Sequence, residues 1–293
     1  MTKLLWDQVG ERTYETGVDH GVLYPVNTTT GAYDFGVAWN GLVTLTESPS
    51  GAEANAQYAD NIKYLNLTSA EEFGGTIEAF TYPIEFAECD GSAVVNGGVS
   101  IGQQTRRVFG LCYRSRLGND LEGNDHGYKL HLVYGATAAP SERAYGTIND
   151  SPEPITFSWE FSTYPLGVGT ISGVTYKPTS TLVIDSTLVD ATALAALEDQ
   201  LYGTVGTDPA LPLPAAVIAI FAGTITVATP TAPTYNSTTK VITIPTVTGV
   251  VYKINGVTKT GTVTITEDTV VNAVPAAGYR FPAVTDDDWF FDF

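Results

Sequence analysis

The chain has 293 residues, 43% of them hydrophobic and only 16% charged, with 32 acidic against 14 basic side chains and a formal net charge of −18. That apolar content excludes a disordered polyanion and suits one large domain or a main domain with an appendage. The acidic excess excludes affinity for nucleic acid built on phosphate neutralisation, although a wall of like charge lets a strand pass without holding it.

The first forty residues mix aromatic and turn residues, ending in Tyr33-Asp-Phe-Gly-Val-Ala-Trp39 and the turn signal Asn40-Gly41, after which Leu42 to Thr46 alternates as a short strand. From Glu47 to Asp60 the chain is polar and small-residue rich without a strand period, which predicts a long loop, an arm projecting from a rigid body and able to grip a neighbour. Ser50, Glu53, Asn55, Gln57 and Tyr58 are its candidate gripping residues. Ser69 to Phe73 reads as a helical turn capped by Ser69 and closed by Gly74-Gly75. In Thr76 to Asp90 the alternation continues past Pro83, which marks an edge position or bulge, and places Glu78, Glu85 and Glu88 on strands. Gly91 to Gln104 is a candidate loop, Thr105 to Arg116 a strand carrying four arginines, and Gly118 to Gly127 a turn.

Two alternating runs follow. Tyr128, Leu130, Leu132 and Tyr134 oppose Lys129 and His131, and Ile155, Phe157, Trp159 and Phe161 oppose Thr156, Ser158 and Glu160. Joined through Asn149-Asp-Ser-Pro152, they predict neighbouring antiparallel strands over one shared core. Thr179 to Asp185 is a further strand. Asp190 caps a helix whose Leu194, Leu197 and Leu201 recur at helical spacing and whose end is Gly203. Pro214 to Ala222 is a core helix or strand too short to span a membrane. Past the Pro/Thr linker beginning at Ala228, short strand-like runs with turn signals such as Asn255-Gly256 suit a small β-sandwich, dividing the chain into 1–227 and 228–293. The second part holds six acids and four bases, so the charge excess belongs to the first.

Little in the sequence points to chemistry. His20, His126 and His131 lie at no metal-ligand spacing, and Asp286-Asp-Asp288 lacks a Gly-punctuated calcium loop. No P-loop, dinucleotide fingerprint or nucleophile elbow is present, so neither cofactor nor metal is expected. Pairs such as Glu71 with Glu72 or Glu85 with Glu88 are a weak basis for a glycosidase in a chain so rich in carboxylates. Tyr33, Trp39 and Tyr58 suit packing better than a sugar platform, although a carbohydrate-binding surface module is the alternative reading. Cys89 and Cys112 sit in strand-like runs and are expected as buried free thiols. No signal-peptide core and no membrane span appear, which predicts synthesis in a reducing cytoplasm and no membrane partner.

The segments Tyr64 to Gly91, Gln103 to Arg114, Tyr128 to Gly135, Tyr145 to Glu153 and Phe157 to Glu160 together resemble the major tail protein, or tail tube protein, of long, flexible-tailed bacteriophages, over about residues 1 to 222. The C-terminal part resembles, less specifically, the immunoglobulin-like modules that some of these proteins carry. The resemblance implies a mainly β fold, a β-barrel or sandwich with a flanking helix, forming stacked hexameric rings that build the hollow tail of the virion. A tape measure protein inside the tube and tail terminator and distal tail proteins at its ends are the implied partners. DNA would pass through the lumen without specific binding, and Glu78, Glu85 and Glu88 are candidates for an acidic lumen wall. The arm matches the loop that reaches the adjacent ring in such tubes. The family carries no catalytic residue.

Overall fold

The computed structural model describes residues 6–148, 150–171, 174–222, 226–276, 278–282 and 284–293. The protein is mainly β. In chain order its first part holds strands β1 (Tyr14–Pro25), β2 (Val37–Trp39), β3 (Leu42–Glu47), β4 (Ser50–Gly51), β5 (Ala54–Ala59), β6 (Ile62–Thr68), β7 (Glu71–Glu72) and β8 (Gly74–Ala79). The short helix α1 (Phe86–Cys89) follows, then β9 (Ala93–Val95), β10 (Val99–Ile101), β11 (Phe109–Asn119), β12 (Gly123–Ala138), β13 (Phe157–Thr163), β14 (Thr170–Ile171), β15 (Val174–Thr175) and β16 (Thr181–Asp185). Helices α2 (Ala191–Tyr202) and α3 (Pro214–Ala222) complete this part.

The main sheet runs β2-β1-β11-β12-β13-β8-β3, with β16 also pairing β12. Its two end strands, β2 and β3, are consecutive in the chain and separated only by Asn40-Gly41, so the sheet must curl until its ends meet. Gly41 takes the positive φ of 77° that this corner needs, and its carbonyl accepts the Phe80 amide at 2.9 Å. The concave side holds one core: Leu23, Trp39, Ile77, Phe86, Phe109, Leu111, Tyr113, Val133, Trp159 and Phe161 are buried together. Trp39 and Phe86 both pack against Trp159, with ring centroids 5.8 and 5.0 Å away.

A second core lies on the convex side, where Val22, Tyr24, Cys112, Leu130, Leu132, Tyr134 and Ile184 meet α2 and α3. Asp190 accepts hydrogen bonds from the amides of Thr192 and Ala193 and so caps α2, while Gly203 ends it at a φ of 76°. Leu194, Leu197 and Leu201 are its buried face, as their spacing predicts. The segment from Pro214 is the helix α3 and contributes Val217.

The two cores correct the expectation of one shared core beneath the runs at 128–134 and 155–161. β12 and β13 do pair antiparallel, Ala136 with Thr163 through Ala138 with Phe161. The face carrying Leu130, Leu132 and Tyr134 nevertheless packs under the helices, whereas Trp159 and Phe161 point to the concave core. The switch occurs at Gly135, whose φ is 61° and beside which the β11–β12 register slips between Val133 and Ala136. One extra residue there turns the even-numbered side chains of β12 from the convex to the concave side.

Three other local expectations change. Ser69 to Phe73 is not a helical turn; Glu71 and Glu72 pair as β7 with Ser50 and Gly51. The strand does not resume after Pro83: residues 86–89 form α1, so Glu85 and Glu88 are not on strands. Gly91 to Gln104 contains the β9–β10 hairpin, closed through Asn96 and two glycines at positive φ.

The C-terminal part begins with β17 (Thr226–Val227), which pairs in parallel with β24 (Tyr279–Arg280). Between and beyond them lie β18 (Thr234–Asn236), β19 (Val241–Ile244), β20 (Val250–Ile254), β21 (Val257–Thr258), β22 (Gly261–Thr264), β23 (Thr269–Pro275) and β25 (Asp288–Phe291). They form two sheets, β18-β19-β22 and β21-β20-β23-β25, over one core of Ile242, Ile244, Tyr252, Ile254, Ile265, Val271 and Ala273. No helix among the described residues is long and apolar enough to cross a membrane.

Candidate functional site

The arm expected as an irregular loop at residues 47–60 is instead one half of a β-hairpin. β5 and β6 pair from Ala54 with Thr68 to Ala59 with Ile62, and the two-residue turn Asp60-Asn61 has positive φ at both positions, 53° and 62°. That backbone matches the right-handed twist of a hairpin, which Asp and Asn tolerate better than most residues. Sequence reading misses β5 because Ala, Asn and Gln are poor strand formers. The alternating Ile62-Lys-Tyr-Leu-Asn-Leu-Thr68 beside it carries the missed signal.

Ser50 of β4 lies at the root, opposite Glu72 of β7, while Asn55, Gln57 and Tyr58 lie on β5 and Glu53 just before it. The hairpin contributes nothing to any of the three cores. Tyr58, Ile62, Tyr64 and Leu67 are 72%, 62%, 66% and 57% exposed, with Leu65 exposed as well. Register puts Leu67 opposite Asn55 and Leu65 opposite Gln57 and, past the bulge at Tyr64, Ile62 opposite Ala59, so these three share one face, while Tyr58 opposite Lys63 lies on the other. Folding the ribbon down onto its own subunit through the Ile62, Leu65 and Leu67 face would still leave Tyr58 exposed on the other.

The hairpin's root is fixed. The Ser48 amide donates to Gly74 O at 2.8 Å, the Ala52 amide to the Ser69 hydroxyl at 3.0 Å, and Thr163 Oγ1 to Phe73 O at 2.7 Å. Glu47, the last residue of β3, reaches across the concave side to strands that lie three and four places away in the sheet. Its Oε1 accepts from the Tyr113 hydroxyl of β11 and lies 3.2 Å from His131 Nδ1 of β12. The His131 ring stacks on Tyr113 at 4.6 Å and its Nε2 meets Ser115 Oγ at 2.9 Å. Ser115 continues to Glu15, which pairs with Lys129. The His131 hydrogen bond, opposed by partial burial and reinforced by Tyr113, holds Glu47 below the usual carboxylate range. Burial and the adjacent carboxylate push the Tyr113 hydroxyl up.

Glu47, His131 and Ser115 have the order of an acid–base–nucleophile relay. The imidazole, however, is covered by Tyr113, and the Ser115 hydroxyl has a second acceptor in Glu15. The group closes the end of the curled sheet with satisfied polar contacts. Among the described residues no cluster of three or more His, Cys, Asp or Glu is arranged to hold a metal ion. Cys89 and Cys112 are buried free thiols that burial pushes up to about 12, which keeps them protonated and unreactive.

The three carboxylates proposed for an acidic wall do not lie together. Glu85 is exposed at the start of α1, and Glu88 is ion-paired to Arg107 at 2.8 Å. Glu78 faces outward from β8, in register with Ser158 of β13 and Thr44 of β3. The neighbouring row is Glu160, Thr76 and Thr46. This outer face of β3, β8 and β13 is therefore built from hydroxyls and two carboxylates. Among the described residues neither Glu78 nor Glu160 has an ion-pair partner. By contrast, Arg12, Arg106, Arg107, Arg114, Arg116, Lys129 and Arg143 are all engaged by carboxylates. Glu160 was legible in the alternation against Trp159 and Phe161. No family model matches the chain, and no curated protein matches it.

Proposed function

We propose that this protein is a structural virion subunit that polymerises as stacked hexameric rings into the tail tube of a long, flexible-tailed bacteriophage, through which DNA passes during ejection. The observation that carries the reading is the hairpin of β5 and β6, with Ile62, Leu65 and Leu67 exposed on one face and Tyr58 on the other, anchored at its root and projecting from a body whose own cores are complete without it. An isolated two-stranded ribbon is marginal in water, and an apolar ribbon exposed on both faces is stabilised by insertion between other chains. Each of its large apolar side chains contributes about 1.5–3 kcal/mol when fully buried, so seating one arm per subunit is a substantial driving force for stacking rings.

The outer face of β3, β8 and β13 is the candidate lumen wall, with Glu78 and Glu160 in place of the dispersed set Glu78, Glu85 and Glu88. Unpaired carboxylates repel phosphates, and the neutral hydroxyls between them offer no cation to retain them. The curled sheet with α2 and α3 on its convex side fits the barrel with a flanking helix that the resemblance implies, and the two C-terminal sheets fit an immunoglobulin-like sandwich. A tape measure protein would occupy the lumen during assembly, with terminator and distal tail proteins capping the ends. The alternative reading, a carbohydrate-binding surface module, finds less support. The C-terminal aromatic residues Tyr235, Tyr252 and Trp289 belong to or pack against their own core rather than forming an open platform. Negative-stain images of the concentrated protein are the test: rings or hollow tubes are expected, and a monomer at every concentration contradicts the proposal.

A further inference from the structure

We infer that Glu47 is the positioning residue of the arm: its carboxylate, clasped by Tyr113 and His131, fixes the direction in which the hairpin leaves the body. The inference rests on the assembly reading above for its purpose, but its structural content stands on the subunit alone.

The arm leaves the body immediately after Glu47, with only Ser48 and Pro49 before β4 begins. On the returning side, Phe73 and Gly74 are held by Thr163 Oγ1 and by the Ser48 amide. Those bonds tie the arm's two legs to each other and to β13. Glu47 alone among the root residues reaches the far wall, through partners 66 and 84 residues away in the chain. A hairpin root held only by hydrogen bonds along one edge can swing about that edge, whereas a side chain braced across the curl supplies a second, non-collinear point of fixation. The backbone at this place is also tightly packed. Gly75 lies opposite Glu47 in register, and a Cβ there would meet Thr46 O at 2.3 Å and the Phe161 ring at 2.9 Å. The absence of a side chain on Gly75 thus lets the final residue of β3 sit close enough for its carboxylate to cross to β11 and β12.

The groups facing Glu47 are consistent with a clasp rather than a passive surface contact. The Tyr113 hydroxyl and the His131 ring converge on one carboxylate oxygen. The stacking of Tyr113 on His131 then fixes both donors relative to one another. Hydrogen bonds to an ionised acceptor are the stronger kind, and three side chains from three strands lose their freedom together.

The test is hydrogen–deuterium exchange on the full chain at a concentration where it is monomeric, comparing wild type with Glu47→Ala, Glu47→Gln and Tyr113→Phe. In Glu47→Ala the root amides of Ser48 and Ala52 should exchange at least tenfold faster, while amides in the middle of β11 and β12 keep their protection. Glu47→Gln retains an oxygen acceptor and should recover part of that protection. Tyr113→Phe keeps the ring and removes one donor, so it should fall between wild type and Glu47→Ala. A role in overall stability alone would raise exchange throughout the sheet. Unchanged root protection in Glu47→Ala overturns the inference, as does a uniform rise; if Glu47→Ala does not fold, unchanged root protection in Tyr113→Phe overturns it. Because exchange is read on the monomer, a wild type that never polymerises defeats the proposed function without touching this result.

Discussion

Replacing residues 52–70 by Asn-Gly removes the arm and rejoins β4 to β7, whose pairing of Gly51 with Glu71 already brings the cut ends together. Deleting only residues 50–59 is a poorer experiment, because it strips β5 and leaves β6 an unpaired apolar strand. The excised ribbon touches none of the cores, and a hairpin of this kind is close to neutral for the monomer. A roughly tenfold shorter connection removes closure entropy on the order of 1–2 kcal/mol. The monomer Tm, followed by near-UV circular dichroism or calorimetry, should therefore stay level or rise by about 2–4 °C. Polymer growth should respond in the opposite direction. Tyr58, Ile62, Tyr64, Leu65 and Leu67 together offer about 7–15 kcal/mol of gross burial. Even after ordering costs, losing it should raise the critical concentration measured by light scattering at least 100-fold. A Tm lowered by more than about 5 °C would refute the separation of arm from core, and normal polymer growth would refute the arm's role in assembly.

Two other perturbations address the body. Burial pushes the Asp19 carboxyl up, but hydrogen bonds from Arg114 and His20, with their charges, override it and hold it at about 2, below its ordinary 3.8. A depressed folded-state value means that the interaction stabilises the protein above about pH 4 and is lost as pH falls towards 2. The Tm gap between wild type and Asp19→Asn should accordingly be widest above pH 5 and close near pH 2; a gap independent of pH would contradict the assignment. Replacing both Glu78 and Glu160 by Lys should leave the fold within about 1 kcal/mol, since both lie on the outer face of the sheet, and should make assembled polymer retain DNA in a salt-dependent way. DNA retention equal to wild type in low-salt co-sedimentation would remove this face from the lumen.

How far the sequence discloses this architecture depends on how local the cause is. Helix α2 is legible from end to end because its cap, its leucines and its terminal glycine all act within a few residues. The strand character at 128–134 and 157–161 is equally visible in the alternation. Which core each face enters is not, because one bulge at Gly135 reverses the assignment and the helices on the convex side lie far along the chain. The α1 turn after Pro83 is too short to leave a period. In the arm, local propensity misleads outright, since β5 is a strand only because β6 pairs with it. Glu47 is the extreme case. Its partners become neighbours only when the sheet curls, and nothing within its own segment singles it out from the other carboxylates.

A helical reconstruction of the polymer from electron micrographs would show at once how the rings stack and what lines the channel. It should show six subunits around an open channel, the β5–β6 hairpin seated between subunits of the next ring, and the face bearing Glu78 and Glu160 turned to the channel. A solid fibre, or a polymer whose arms remain exposed to solvent, would contradict it.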